Sequence, residues 1–222
     1  MIEAVVFDMD GVLIDSVASA YRVKSKILKE DYNIDIESVP DPHDEAHKGG
    51  SLTNLLKAVH KNAGVRIDED EFIDKVVTKM YDDLKENYIK ADPDLLDFLR
   101  DLKNHHVPIA VATSATRQST DNKLRILGLS DFFDEIITAN DVKEHKPHPE
   151  SYLTAIQRLG ASLTKSIVFE DSAAGIQAAN AAGAVVVGIT KYNIDKTALA
   201  GTAVTFDDWK NVNYDILESL VV

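Results

Sequence analysis

The chain has 222 residues, of which 45% are hydrophobic and 27% charged, enough for one large core or for a core domain with a smaller second one. A formal net charge of −13 argues against a broad nucleic-acid footprint and against attraction to an anionic membrane. There is no cysteine, which removes disulfides, thiolate metal sites and cysteine nucleophiles and fits a cytoplasmic protein. No signal-peptide pattern opens the chain, and no apolar run approaches the roughly 18 residues of a membrane span. An anionic substrate remains compatible with the charge, because a bound metal and one lysine reverse the local sign.

The apolar run Ala4–Phe7 reads as a buried strand. It ends in Asp8-Met9-Asp10-Gly11. Residues i and i+2 share a strand face, so a continuing strand would turn Asp8 and Asp10 into one space. Residues 16–88 then lack a convincing strand and carry three helical patterns. The first runs from Ser16 to about Glu30, with Tyr21, Lys24 and Leu28 at helical spacing. The second follows Ser51, with Leu52, Leu55, Leu56 and Val59. The third follows Asp68 with Glu71 as a capping box, and repeats Phe72, Val76, Met80, Leu84 and Tyr88. This stretch reads as an all-α cap domain, with links near Gly11–Ser16 and Tyr88–Asp92 serving as a hinge.

Asp92-Pro93 starts a helix with the stripe Leu95, Leu96, Leu99 and Leu102. Further strands are expected at Pro108–Thr113, Glu135–Thr138, Ser166–Phe169, Val185–Ile189 and Ala203–Phe206. Helices run from Pro149 to near Gly160 and from Ser172 to near Gly183, where glycine supplies the left-handed cap. In the second of these, Ala173, Ala174, Ala178 and Ala179 would let the helix sit close to the sheet. Strands alternating with helices predict an α/β fold with a Rossmann-like parallel sheet. The domain division is 1–15 with 89–222 for the core and 16–88 for the cap.

Four segments place polar groups just after an apolar strand, and open parallel sheets bind ligands at those strand ends. They are Asp8-Met9-Asp10; Thr113-Ser114-Ala115-Thr116; Lys146 between turn residues in His145-Lys146-Pro147-His148-Pro149; and Glu170-Asp171-Ser172. Four carboxyl groups around one point repel one another unless a cation neutralises them. Oxygen-only ligation favours Mg²⁺ over zinc or copper. Hydroxyls, turn amides and one lysine complete a set suited to phosphoryl transfer. Without a Walker A sequence, nucleotide-dependent phosphate chemistry is not indicated. His145 and His148 read as solvated or capping residues, as do His43, His47 and Lys48 in the polar stretch Asp41–Gly50.

With these segments in order, the chain resembles the haloacid dehalogenase superfamily, in the helical-cap branch that contains β-phosphoglucomutase and phosphoglycolate phosphatase. Asp8-Met9-Asp10-Gly11-Val12-Leu13, Thr113, Lys146-Pro147 and Glu170-Asp171 match the four motifs, and the likeness covers essentially the whole chain. The resemblance implies a HAD-like core and a phosphatase for a small phosphorylated metabolite, a sugar or polyol phosphate. Asp8 would be the nucleophile and Asp10 the acid–base group. Thr113 and the amides of Ser114 and Ala115 would bind phosphoryl oxygens, and Lys146 would balance charge. Asp8, the Asp10 carbonyl, Glu170 and Asp171 would hold Mg²⁺, Glu170 directly or through water. Thr116 and Arg117 would reach the far end of the substrate. Ala20 and Leu52, the latter after Lys48-Gly49, stand where the mutase pattern has a histidine and an arginine. Hydrolysis is therefore preferred over a hexose-phosphate mutase, and both over a phosphoaspartate signalling module. The protein is taken as a monomer, with no nucleic-acid or membrane partner.

Overall fold

A computed structural model describes residues 1–39, 52–86, 90–192 and 199–221. The polar stretch Asp41–Gly50, with His43, His47 and Lys48, lies outside the described residues, as does Tyr88. Contacts divide the chain into two compact units, Met1–Asp15 with Lys90–Val222, and Ser16–Ile89.

The first unit is built on six parallel strands: β1 (Ala4–Phe7), β2 (Ile109–Ala112), β3 (Glu135–Ile137), β4 (Ser166–Glu170), β5 (Val185–Ile189) and β6 (Val204–Phe206). Their order is β3-β2-β1-β4-β5-β6. β1 is central although first in sequence, because the chain fills one side of it with β2 and β3 and the other with β4 to β6. The order reverses between β1 and β4, which makes their carboxyl ends the switch point of the sheet. The α/β parallel fold expected from the strand–helix alternation is the one observed.

Among the described residues, the second unit packs three α-helices, α1 (Ser16–Tyr32), α2 (Leu52–Ala63) and α3 (Glu69–Glu86). Its core joins Val23, Ile27 and Leu28 of α1 to Leu55 and Val59 of α2 and to Phe72 and Val76 of α3. Asp68 caps α3 by accepting from the Glu71 amide at 3.0 Å. The Arg22 guanidinium forks onto Asp83, which also accepts from the Ser19 hydroxyl, tying α1 to α3.

Among the described residues, five further α-helices belong to the sheet unit: α4 (Pro93–Asn104), α5 (Arg117–Leu127), α6 (Glu150–Arg158), α7 (Ala173–Ala182) and α8 (Tyr214–Glu218). Strand parity assigns the two faces. Phe7 stacks on its register partner Phe169 at 5.1 Å and 5°, and Phe98 and Trp209 close over them. Each such fully buried aromatic contributes about 1.5–3 kcal/mol of apolar burial. Val6, Ala110 and Val168 point the other way, against Tyr152 and Ile156 of α6 and Ile176 and Ala179 of α7. Asp8 and Glu170 lie two residues beyond Val6 and Val168, so both are delivered to the α6–α7 face. On α7 the buried positions are Gly175, Ile176, Ala178, Ala179 and Ala182. Ala173 and Ala174 face outward instead of the sheet, because a helix turn puts them opposite that stripe. Among the described residues, no helix is long and apolar enough to cross a membrane.

Acidic side chains pin several loops of the sheet unit. Partial burial pushes the Asp134 carboxyl up, but hydrogen bonds from Lys103 and the Ile109 amide outweigh it, leaving the pKa below its usual 3.8. Asp92, the N-cap of α4, is held low in the same way, burial being overcome by Lys191 and the Asp94 amide. A carboxyl whose folded-state pKa is depressed stabilises fully above its unfolded value. That stabilisation is lost as pH falls through the folded value. The thermal midpoint is therefore expected to hold steady from neutrality down to about pH 5 and to fall below about pH 4. Asp134→Asn should lower the midpoint at pH 7 and flatten the acid slope, as read by circular-dichroism melts across pH.

Candidate active site

The carboxyl ends of β1 and β4 and the loop before α6 bring three of the four segments directly together. Asp8 follows β1, and its amide donates to the Phe169 carbonyl of β4 at 3.0 Å. Glu170 ends β4, and Asp171 begins the turn into α7. Oxygens of Asp8, Glu170 and Asp171 all lie within 4.8 Å of one another, and all three residues are buried. Lys146 enters from the loop before α6. Its ammonium donates to Asp8 Oδ1 at 2.5 Å, Glu170 Oε1 at 2.8 Å, the Tyr152 hydroxyl at 2.7 Å and the Ala112 carbonyl at 3.0 Å. The last bond ties the lysine to the end of β2, next to Thr113.

The charges do not balance: three carboxyl groups surround one lysine. Burial drives the Asp8 carboxyl well above the usual carboxylate range. Lys146 opposes that shift, while Glu170 and Asp171 add to it. Glu170 goes the opposite way. Burial alone would raise it, but Lys146, Tyr152 and the Ser172 amide hold it ionised. Lys146 stays charged, since Asp8 and Glu170 outweigh its desolvation. Such a buried oxygen cluster could hold a divalent cation, whose charge would offset the excess of carboxylates.

The two acids of the fourth segment are not equivalent. Both Glu170 oxygens are already saturated. Oε1 accepts from Lys146 and Tyr152; Oε2 accepts from the Asp171 amide, the Ser172 amide and the Ser172 hydroxyl. Glu170 therefore frames the site, standing with Asp8 and Asp171 in the group of carboxylates that could hold a cation. Two glycines make room for this frame. A Cβ on Gly11, which sits at φ +89°, would lie 2.0 Å from Asp171 Oδ2, and one on Gly175 would lie 1.6 Å from Glu170 Oε1.

Asp10 departs from the shared-face expectation. The strand stops at Phe7, and the chain turns through Gly11, whose amide donates to the Ile14 carbonyl. The Asp10 carboxylate lies outside the three-acid cluster and pairs with Lys123 of α5 at 2.5 Å. Thr113 is buried, and its Oγ1 accepts from the Ala115 amide at 3.1 Å; Ser114 is exposed. Thr116 caps α5 by accepting from the Ser119 amide. Arg117 donates to the Ile136 carbonyl and to Asp141 at 2.6 and 2.9 Å. These bonds tie Thr116 to the start of α5 and Arg117 to β3 and Asp141. His148 accepts from the Glu150 amide, a capping use.

Sequence reasoning missed Lys123 and Tyr152. The signal for Lys123 is its place among Thr120, Leu124 and Leu127 on the buried side of α5, where a lysine requires a partner. Tyr152 is a fully buried phenol in the first turn of α6, and a buried hydroxyl needs the same accounting.

Residues 5–189 match the family model described as haloacid dehalogenase-like hydrolase. The chain is 31% identical over 194 residues to a phosphorylated carbohydrates phosphatase of Thermotoga maritima, covering 82% of each chain. It is 29% identical to a phosphoglycolate phosphatase of Neisseria meningitidis, covering 94% of this chain and 88% of that one. Among solved structures, a β-phosphoglucomutase from Clostridium difficile superposes with a TM-score of 0.75 at 28% identity, over 99% of this chain and 96% of that one. The matched segment runs from β1 to the end of β5 and so contains every strand whose carboxyl end contributes to the acid–lysine cluster: the chain belongs to the haloacid dehalogenase-like hydrolase family, as a phosphoric monoester hydrolase.

Proposed function

We propose that the protein is a Mg²⁺-dependent phosphatase that hydrolyses a sugar or polyol phosphate through an aspartyl phosphate on Asp8. The observation that carries this reading is the buried Asp8 carboxylate held by Lys146 beside Glu170 and Asp171. The similarity to a phosphorylated carbohydrates phosphatase supports the substrate class.

Asp8 attacks phosphorus, and Asp10 gives its proton to the departing oxygen. Water then attacks the acyl phosphate, with Asp10 taking its proton. Thr113 Oγ1 and the Ser114 amide hold phosphoryl oxygens, and the Ala115 amide exchanges its bond to Thr113 for another. Lys146 keeps Asp8 oriented and offsets charge on the phosphoryl group. Asp8, Asp171 and the Asp10 carbonyl would hold Mg²⁺, with Glu170 behind them, and the ion would supply the positive charge that lets an anionic nucleophile meet an anionic ester. The helical unit, joined to the sheet unit just after the Asp10 turn and just before α4, is the cap that selects substrate. Ala20 and Leu52 give it neither of the groups that distinguish a mutase.

The test is phosphate release from a panel containing fructose 1-phosphate, glucose 1-phosphate, glucose 6-phosphate and glycerol 3-phosphate. The assay is run with Mg²⁺ and after chelation. Release from at least one ester, falling by about 100-fold or more on chelation, is the expected result. Metal-independent release, or conversion of β-glucose 1-phosphate to glucose 6-phosphate faster than phosphate appears, would overturn the reading.

A further inference from the structure

Lys123 is a further lysine bonded to an acid of the first segment, and no motif accounts for it. It lies on α5 with its side chain 11% exposed, and its ammonium donates to Asp10 Oδ1 at 2.5 Å. The Asp10 side chain is 34% exposed, and among the described residues its other oxygen, Oδ2, accepts no hydrogen bond. The carboxylate is thus held by one oxygen, with the other left for a reacting group. α5 begins directly after the Thr113 turn, capped by Thr116 and anchored by Arg117 to Asp141. The helix that carries Lys123 is therefore fixed to the same strand end as Thr113.

We propose that Lys123 is a positioning residue for Asp10, which rests on reading Asp10 as the acid–base group. Its ammonium holds Oδ1 and so aims Oδ2 at the reacting groups. In the first step an Asp8 oxygen bonds to phosphorus, the phosphorus–ester oxygen bond breaks, and the proton on Asp10 Oδ2 goes to the departing oxygen. In the second, a water oxygen bonds to phosphorus and the bond to Asp8 breaks, its electron pair returning to Asp8. The water proton goes to Asp10 Oδ2, and inorganic phosphate is released. Lys123 faces the carboxylate in both steps and exchanges no proton itself.

Such a role matters in proportion to how much the leaving group needs a proton. An alkoxide needs one; a dinitrophenolate does not. The experiment measures kcat/KM of wild type, Lys123→Met and Lys123→Arg on two esters. One is whichever sugar phosphate of the panel wild type hydrolyses fastest; the other is 2,4-dinitrophenyl phosphate. For Lys123→Met the expected loss is about 30- to 100-fold on the sugar phosphate, within the range that general acid–base catalysis supplies. On the dinitrophenyl ester the same variant should lose less than about 3-fold, and Lys123→Arg should recover most of the sugar-phosphate rate. Equal losses on both esters, or an unchanged rate on the sugar phosphate, overturn the proposal. Should Lys123→Met fail to melt cooperatively, Lys123→Gln carries the same comparison. Wild-type protein that hydrolyses both esters by an Asp8-independent route overturns the phosphatase mechanism instead, and the Lys123 role falls with it.

Discussion

Asp8→Asn is expected to lower kcat for sugar-phosphate hydrolysis by about 10⁴- to 10⁶-fold, the scale on which loss of a covalent nucleophile acts. The amide cannot form the acyl phosphate, so no phosphoenzyme should be trapped on acid quench. Stability should move the other way. In the metal-free protein Asp8 is the carboxyl that burial and its acidic neighbours drive furthest up, with only Lys146 opposing. The substitution leaves Glu170 and Asp171 facing Lys146, a smaller excess of negative charge in a water-poor site. The thermal midpoint in chelator should therefore hold or rise, while Mg²⁺ should raise it less than in wild type. A variant with wild-type turnover would remove the covalent mechanism. A large drop in the midpoint would mean that the Asp8–Lys146 pair outweighs the repulsion among the acids.

Gly175→Ala sets two effects of very different size against each other. Within a helix, alanine is favoured over glycine by about 1 kcal/mol. Yet the new methyl would stand 1.6 Å from Glu170 Oε1, far inside contact distance. Glu170 is fully buried and cannot swing into solvent. Moving it breaks its bonds to Lys146, Tyr152 and the Ser172 turn together, and removing partners from a buried charge costs about 3–5 kcal/mol. The steric term wins. Lower stability by several kcal/mol and at least about 10³-fold lower kcat are expected, from a denaturant melt and the phosphate-release assay. A variant as stable and active as wild type would mean that Glu170 is not the frame on which Lys146 is held.

Much of the architecture was legible because buried parallel strands are short apolar runs with abrupt ends. Ala4–Phe7 and Val185–Ile189 have the expected bounds. Ser172 and Gly183 cap α7 for the expected reasons of side-chain bonding and left-handed backbone. α5 was not legible. Its sequence RQSTDNKLRIL puts Thr120 and Lys123 on the buried side, so the apolar stripe that marks a helix is too thin. Missing the helix meant missing the lysine it delivers to Asp10. The shared face of Asp8 and Asp10 misled because the strand relation stops at Phe7. Glu170 and Asp171 looked alike as adjacent acids. That Glu170 is the one held by Lys146, Tyr152 and the Ser172 turn depends on groups that only the folded chain assembles.

The central position of β1 has a consequence for how the site comes into being. Its ladder partners are Ile109 to Val111 on one side and Ser166 to Phe169 on the other, so no neighbour in sequence can hold it. Closing such distant loops costs entropy before any ladder bond is gained, and pairing of this kind is slow. On a ribosome, where segments emerge in N- to C-terminal order, Asp8 is made well before the strands that flank β1. It reaches its place only once β4 has been synthesised and has docked. Until then Asp8 has none of Lys146, Glu170 or Asp171 around it, so its carboxyl acquires its buried surroundings only when β4 and the loop before α6 come together.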